Sequence, residues 1–185
     1  HIIMKSLKFF LVKTLFDLLA LVSLKNAQRL GYFLGRCLWL LNGKLRQVTE
    51  QNIALCFQHL SSAEQQLMAK QSLCELARMT FELAPSWQWP AQKLLDHVVE
   101  VKNLELLQEA QSHGKGTIVL APHIGNWEVF SPYLSTVAHM TALYQPPKIA
   151  AFDQIIRAAR ERTGADLVPT DRRGVSSLLK ALKAG

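Results

Sequence analysis

Residues 117–128 read TIVLAPHIGNWE, and this stretch decides the fold that the sequence predicts. Thr117–Ala121 is β-branched and apolar without alternation, which is typical of a strand buried on both faces. Pro122–Gly125 predicts a turn, and Asn126 is placed to cap the helix that follows. A buried strand, a short loop and a helix together form the repeating unit of an α/β domain.

The same alternation continues on both sides of this stretch. Upstream, the pattern predicts a short strand at His97–Val101 and a helix at Leu104–Ser112. Downstream, it predicts a helix over Phe152–Thr163, a strand over Asp166–Pro169 and a helix over Val175–Leu182. The predicted fold class is therefore α/β, with a mainly parallel sheet flanked by helices and preceded by a helical N-terminal region.

Residues 43–84 show apolar side chains near the helical period. Ser61 or Ser62, followed by Glu64, predicts the start of a second helix in this region through a capping box. The segment PSWQWP, residues 85–90, is expected to break the helical pattern, because neither proline continues a helix easily.

The formal charge of +7 is unevenly distributed along the chain. Residues 1–46 carry eight basic side chains against one acidic side chain, whereas residues 47–147 carry five against nine. Residues 148–185 are basic again, with eight basic and four acidic side chains. This pattern favours contact with an anionic surface or substrate at both ends, although solvated surface lysines would also account for it.

The N-terminal apolar run, Phe9–Leu24, is shorter than the roughly 20 residues that a spanning helix needs. Lys13 and Asp17 interrupt it at a spacing that allows them to pair. A second apolar run, Leu30–Leu41, contains Arg36. We expect residues 4–45 to form membrane-anchoring helices that lie in the headgroup region of an anionic bilayer. Two core helices of a soluble domain are the alternative.

The three cysteines, Cys37, Cys56 and Cys74, show no CxxC spacing. They therefore predict neither a zinc site nor a disulfide framework, and a reducing compartment is the simplest interpretation.

The carboxyl end of a buried strand is where open α/β sheets place functional groups, and His123 and Glu128 follow the predicted strand. Such a carboxylate can orient the imidazole so that its other nitrogen acts as a base towards a hydroxyl. A structural hydrogen bond is the alternative. No metal site is predicted, because the pair lacks a third ligand at a convincing spacing.

These residues belong to a longer ordered set of motifs: RQVTEQNIALCF at 46–57, APHIGNWE at 121–128, YQPPK at 144–148 and DRRG at 171–174. Taken together they make the chain similar to the lipid A biosynthesis acyltransferase family, which is related to the glycerolipid acyltransferases. The resemblance implies transfer of a fatty acyl chain from an acyl carrier protein thioester to a hydroxyl of a lipid A precursor. It implies no cofactor besides that thioester, and a location at the cytoplasmic face of the bacterial inner membrane.

Carried over residue by residue, the resemblance makes His123 the general base and Glu128 its orienting partner. It also implies substrate or oxyanion binding by six further residues: Asn126, Lys148, Arg160, Arg162, Asp171 and Arg172. A basic patch within Arg157–Arg173 is the expected docking site for acyl carrier protein. A solvated helix face is the alternative for Arg162, Arg172 and Arg173.

The resemblance further implies that residues 46–185 form an acyltransferase core that is incomplete at its C-terminus, because the sheet of the family continues beyond this point. Two other functions stay open. One is an acyltransferase for another membrane lipid (a phospholipid, an ornithine lipid or a mannoside). The other is a non-enzymatic module that binds the membrane surface. A nucleic-acid partner is not expected, because no stacking platform accompanies the basic residues.

Overall fold

The computed structural model describes residues 2–147 and 150–185, except the side chains at 2–9, 11, 12, 150 and 151. The contacts divide the chain into two compact units, one up to Pro85 and the other from Ser86 to Gly185. The sequence predicts another boundary, between residues 45 and 46, which separates a membrane anchor from a catalytic core. That functional division stays a prediction.

The first unit is helical. Its elements are α1 (Ile2–Leu21), α2 (Leu24–Leu40), α3 (Lys44–Cys56) and the greater part of α4 (Ser62–Gln88). The capping box predicted at the start of α4 is confirmed. The backbone N–H of Ser61 donates to Glu64 Oε2 at 2.8 Å, and the backbone N–H of Glu64 donates to Ser61 Oγ at 3.4 Å.

Helix α4 continues through Pro85, so the predicted break at this proline is wrong. Pro85 is fully buried, and we attribute its tolerance to packing that offsets the missing backbone hydrogen bond. The helix ends instead just before Trp89, because Pro90 disfavours the helical conformation of the residue that precedes it.

Helix α2 packs closely on α4 through its small residues. A Cβ atom on Gly35 would lie 2.5 Å from Cys74 Cα, and one on Gly31 would lie 2.7 Å from Arg78 Cα. Both glycines are buried, as is Ala27 one turn before them. The absence of side chains at these positions therefore sets the distance between the two helices.

The ion pair predicted within α1 is confirmed, with Lys13 Nζ 2.6 Å from Asp17 Oδ2. Among the described residues, no helix is both long enough and apolar enough to cross a bilayer. Interfacial anchoring by residues 4–45 stays a prediction.

The second unit contains short helices and a two-stranded sheet. Its elements, after the last turn of α4, are α5 (Ala91–Leu95), α6 (Leu104–Ser112), a 3₁₀ turn (Trp127–Val129), α7 (Phe130–Val137), β1 (Thr141–Tyr144), α8 (Ala150–Glu161), β2 (Asp166–Pro169) and α9 (Arg172–Ala184). Its buried apolar side chains include Trp89, Leu94, Leu134, Tyr144, Ala159 and Ala165.

Strands β1 and β2 are parallel, with Thr141 opposite Asp166 and Tyr144 opposite Pro169. The predicted helix Leu104–Ser112 and the predicted strand Asp166–Pro169 are confirmed at both ends. Helix α8 lies two residues earlier than predicted, and α9 extends beyond its predicted limits. Helix α9 packs on both strands, and a Cβ on Gly174 would overlap the Pro169 carbonyl oxygen at 1.7 Å.

The two other predicted strands are wrong. Thr117–Ala121 is irregular and exposed, with Ile118 74% and Leu120 86% accessible, and His97–Val101 is a turn followed by irregular backbone. A strand buried on both faces needs ladder partners, and in the described part of the chain the only ladder joins β1 and β2. The described residues are mostly helical with one parallel strand pair, so the mainly parallel sheet is not confirmed.

The close approach of α2 and α4 predicts that Gly35→Ala lowers the free energy of unfolding by about 1–3 kcal/mol, because the new methyl group must displace the Cys74 backbone. Gly43→Ala is the matched control, since a Cβ at Gly43 meets nothing within 4 Å, and it should change stability by less than about 1 kcal/mol. Urea unfolding followed by circular dichroism measures both. Equal stabilities of the two variants would show that the helices are not in close contact.

Candidate functional site

The motif residues 122–128 form an irregular turn that leads into the 3₁₀ turn at the start of α7. The backbone N–H of Ile124 donates to the Pro122 carbonyl at 2.8 Å, and Gly125 adopts a left-handed φ of +59°. This geometry leaves His123 exposed and turns Glu128 into the protein, where its side chain is only 4% accessible.

Glu128 is held by Arg160 of α8 through two hydrogen bonds. Arg160 Nη2 donates to Glu128 Oε1 at 2.5 Å, and Arg160 Nε donates to Glu128 Oε2 at 3.1 Å. Burial by itself lowers the pKa of Arg160, but the hydrogen bonds and the charge of Glu128 outweigh burial and raise that pKa above its ordinary value. The guanidinium of Arg160 is therefore charged, and its bidentate contact with a carboxylate is geometrically specific.

Tyr144, at the end of β1, lies under the arginines of α8. Its ring centroid is 4.9 Å from the guanidinium carbon of Arg157 and 5.5 Å from that of Arg160. Burial first, and then the neighbouring Asp153 carboxylate, raise the pKa of Tyr144 to about 12, although both arginines oppose the shift. The phenol is therefore neutral in the pH range where proteins are usually studied.

The imidazole of His123 packs against Trp127, with ring centroids 4.6 Å apart and a tilt of 46°. The structure records no hydrogen bond or ion pair between His123 and Glu128, both of which it describes. The two members of the predicted dyad thus share one loop, but the recorded partner of Glu128 is Arg160.

Asn126 does not cap the helix that follows it, contrary to the prediction. Its amide nitrogen donates instead to Ser86 Oγ at 2.9 Å, and Ser86 is 2% accessible. The contact ties the motif loop to the last turn of α4. This contact positions the motif loop, because it connects two segments of the second unit that are distant in the sequence.

Arg162 caps the C-terminal end of α4. Its Nη2 donates to the Ser86 carbonyl at 2.6 Å, and its Nη1 donates to the carbonyls of Trp89 at 2.5 Å and Trp87 at 3.2 Å. Unsatisfied carbonyls and the negative end of the helix dipole favour a cation at this position. Burial lowers the pKa of Arg162, and its recorded contacts are structural.

The DRRG turn begins α9. Asp171 Oδ1 accepts hydrogen bonds from the backbone N–H groups of Arg173 at 2.8 Å and Gly174 at 3.0 Å, so Asp171 is the N-cap of the helix. Arg172, the first residue of the helix, is exposed. Lys148, which the sequence predicts as a substrate-binding residue, lies outside the described residues.

Tyr144, Asp153 and Arg157 form a group that the sequence did not predict. The four-residue spacing in α8 could have identified part of it, because Arg157 pairs with Asp153 at 3.6 Å and with Glu161 at 3.1 Å. The contact of the Tyr144 ring with these arginines depends on the fold, and no pattern in the sequence predicts it.

A cavity of about 340 Å³ in the second unit lies beside α7, and His123 is not among the residues that line it. It is lined by Leu95, Val98, Val99, Glu100, Val101, Tyr133 and Thr136. Among the residues that the structure describes, no three His, Cys, Asp or Glu side chains come together as a metal site would require.

The raised pKa predicts a delayed ionisation of Tyr144. The neutral phenol stabilises the fold fully below pH 10, and this contribution, about 2–3 kcal/mol, is lost as the pH rises through about 12. The chain has three tyrosines, so the ultraviolet titration of the parent minus that of Tyr144→Phe isolates this group. A midpoint near 10 in the difference curve would contradict the burial of the phenol.

The bidentate pair predicts strong coupling between Glu128 and Arg160. Glu128→Gln and Arg160→Gln should each cost about 3 kcal/mol of unfolding free energy, and the double variant much less than their sum. As a control, we take the double-mutant cycle of Asp153→Asn and Arg157→Gln, which removes a more exposed pair 3.6 Å apart. Its coupling free energy should be below about 1 kcal/mol. Chemical unfolding measures both cycles, and similar coupling in the two would show that burial adds nothing to the first pair.

Comparison with known proteins places these observations in a family. No curated protein matches the chain significantly. The sequence model of the family described as bacterial lipid A biosynthesis acyltransferase matches residues 2–185. Because this match covers nearly all of the sequence, the chain belongs to the bacterial lipid A biosynthesis acyltransferase family.

Proposed function

We propose that the protein transfers a fatty acyl chain from an acyl carrier protein thioester to a hydroxyl group of a lipid A precursor. Family membership supports acyl transfer to a lipid acceptor. The observation that carries the proposal further is the buried Glu128 held by Arg160, five residues after the exposed His123. The imidazole, the carboxylate and the guanidinium of these three residues are the groups that the proposed chemistry needs.

In the proposed reaction, a ring nitrogen of His123 accepts the proton of the acceptor hydroxyl while the hydroxyl oxygen attacks the thioester carbonyl carbon. The tetrahedral oxyanion then collapses, the carbon–sulfur bond breaks, and the leaving thiolate takes the proton from His123. The acyl group passes directly between the substrates, so no enzyme nucleophile is used. The thioester supplies the activated acyl group, and we propose no further cofactor.

Glu128 can orient His123 without releasing Arg160. A carboxylate has about four acceptor positions on its two oxygens, and Arg160 occupies two of them. A third hydrogen bond, from the ring N–H of His123, would fix the imidazole tautomer and stabilise the imidazolium that forms. Gly125, with open space at its Cβ position, allows the loop to bring the ring to Glu128.

Arg160 is the proposed oxyanion or phosphate ligand, because its side chain is 27% accessible and its remaining N–H donors are not needed by Glu128. Lys148 is a proposed contact to a phosphate group of the acceptor, and Arg172 is a proposed contact to the donor substrate. For Asn126, Arg162 and Asp171, the recorded contacts favour positioning of the site over direct contact with substrate.

We also propose that α1 and α2 hold the protein at the cytoplasmic face of the inner membrane. Helix α2 carries exposed cations at Lys25, Arg29 and Arg36, with exposed Tyr32 and Phe33 beside them. A helix that combines basic and large apolar side chains on its exposed surface fits the headgroup region of an anionic bilayer.

The proposed chemistry predicts that His123→Ala lowers acyl transfer by at least about 100-fold, because the general base is lost. The variant should keep the unfolding free energy of the parent within about 0.5 kcal/mol, since His123 is exposed. His113→Ala, which removes another exposed histidine, is the control and should retain activity. The assay uses acyl carrier protein thioesters and a lipid A precursor, with products read by mass spectrometry.

Transfer at the parent rate by a folded His123→Ala variant would overturn the proposed role of His123. Transfer by the parent to a phospholipid but not to the lipid A precursor would change the acceptor and leave the chemistry in place. Vesicle binding without transfer to either acceptor would favour a non-enzymatic membrane module.

A further inference from the structure

Helix α9 presents a purely basic face. Its outward side carries four cationic side chains, at Arg172, Arg173, Lys180 and Lys183, all of them exposed. They lie within an arc of about 100° and extend over about 17 Å along the helix axis, given 100° and 1.5 Å per residue. We call these four residues the α9 basic face.

The opposite side of α9 is occupied by the sheet. Gly174 is buried against the Pro169 carbonyl and Leu143, and the helix packs on both β1 and β2. The orientation of the helix is therefore fixed by packing, and the α9 basic face points to solvent. Because packing fixes the backbone of the helix, its charged side chains start from defined positions. Such preorganisation favours binding of a partner with complementary charges.

The four cations have no recorded acidic partner among the described residues. Helix α9 itself contains no acidic residue, and the nearby Asp171 uses its Oδ1 to cap the backbone of the helix. No ion pair recorded for the described residues therefore engages these four cations, and Asp171 is the acidic residue next to them in the sequence.

The two arginines of α8 and the adjacent Arg162 differ in this respect. Arg157 pairs with Asp153 and Glu161, Arg160 pairs with Glu128, and Arg162 donates to three backbone carbonyls. The sequence predicts that the carrier protein docks on a basic patch within Arg157–Arg173. The first three arginines of this stretch are engaged in the internal contacts just described. Only its last two members, Arg172 and Arg173, are shared with the α9 basic face.

We infer that the α9 basic face is the docking surface for the acidic carrier protein that delivers the acyl thioester. The inference rests on the proposed function for the identity of the donor and adds the surface that recognises it. Charge complementarity steers such encounters and makes them sensitive to salt. The half-exposed Val175 and Leu179 border the cations and provide apolar contact area for the partner.

A membrane surface fits this face less well than a protein. Helix α9 contains no aromatic residue, whereas helices that lie in a bilayer interface commonly use tryptophan or phenylalanine as anchors. Its exposed large apolar side chains are limited to Val175 and Leu179, each about half accessible. The aromatic and basic combination that suits an anionic bilayer occurs on α2 instead.

The test is direct binding, measured by fluorescence anisotropy with labelled acyl carrier protein at low salt. Arg173→Glu combined with Lys180→Glu reverses two charges of the α9 basic face, and we expect at least a tenfold rise in Kd. Lys44→Glu combined with Lys102→Glu makes the same change in net charge at exposed positions outside α9 and should leave Kd within twofold. Binding by the parent should weaken when salt is raised from about 50 to 500 mM.

Several outcomes would overturn the inference: no binding of the carrier protein by the parent, equal loss in both double variants, or no loss in either. A loss of binding to phosphatidylglycerol vesicles, with carrier binding unchanged, would assign the face to the membrane. His123→Ala should keep carrier binding although transfer is lost. Carrier binding through α9 without transfer by the parent would contradict the proposed function alone, and transfer unaffected by the α9 reversal would contradict the docking surface alone.

Discussion

The second unit depends on one constraint, which is that a buried carboxylate must be paired. Glu128 is 4% accessible, and an isolated charge at such a position would cost several kcal/mol. Arg160 meets that need with two hydrogen bonds, and in doing so it connects the loop after His123 to α8. Because the same guanidinium lies over the ring of Tyr144, the end of β1 is held at the same point. One ion pair thus fixes three elements around the motif.

Local pairing also explains why total charge is a poor guide to where this protein binds anions. Residues 148–185 carry eight basic side chains, but Arg157 and Arg160 of α8 and the following Arg162 are engaged by carboxylates or by backbone carbonyls. Charges that are paired at close range contribute little potential beyond the Debye length, about 10 Å at 0.1 M salt. The cations of α9 have no such partner among the described residues, although α8 and α9 each contain two arginines.

Features that depend on neighbours in the sequence could be predicted. The capping box at Ser61 and the Lys13–Asp17 pair follow from spacings of three and four residues, and both are present. Contacts that join distant segments of the chain could not be predicted from the sequence. The partner of Glu128 is 32 residues away and that of Arg162 is 76 residues away, so no spacing rule relates them. The predicted strand at Thr117–Ala121 failed for the same reason, since strand formation depends on tertiary pairing more than on local preference.

Arg160 and Arg162 are two residues apart in the sequence, but they differ in how many N–H donors remain for a ligand. A guanidinium has five N–H donors. Arg162 directs its two terminal nitrogens at three carbonyls at the end of α4, which leaves it little capacity for a ligand. Arg160 uses two donors on Glu128 and is about one quarter accessible, so donors remain for a developing negative charge. In the proposed reaction, the contact with Glu128 holds Arg160 in place before the reaction begins, which is the condition under which hydrogen bonds to an oxyanion are most effective.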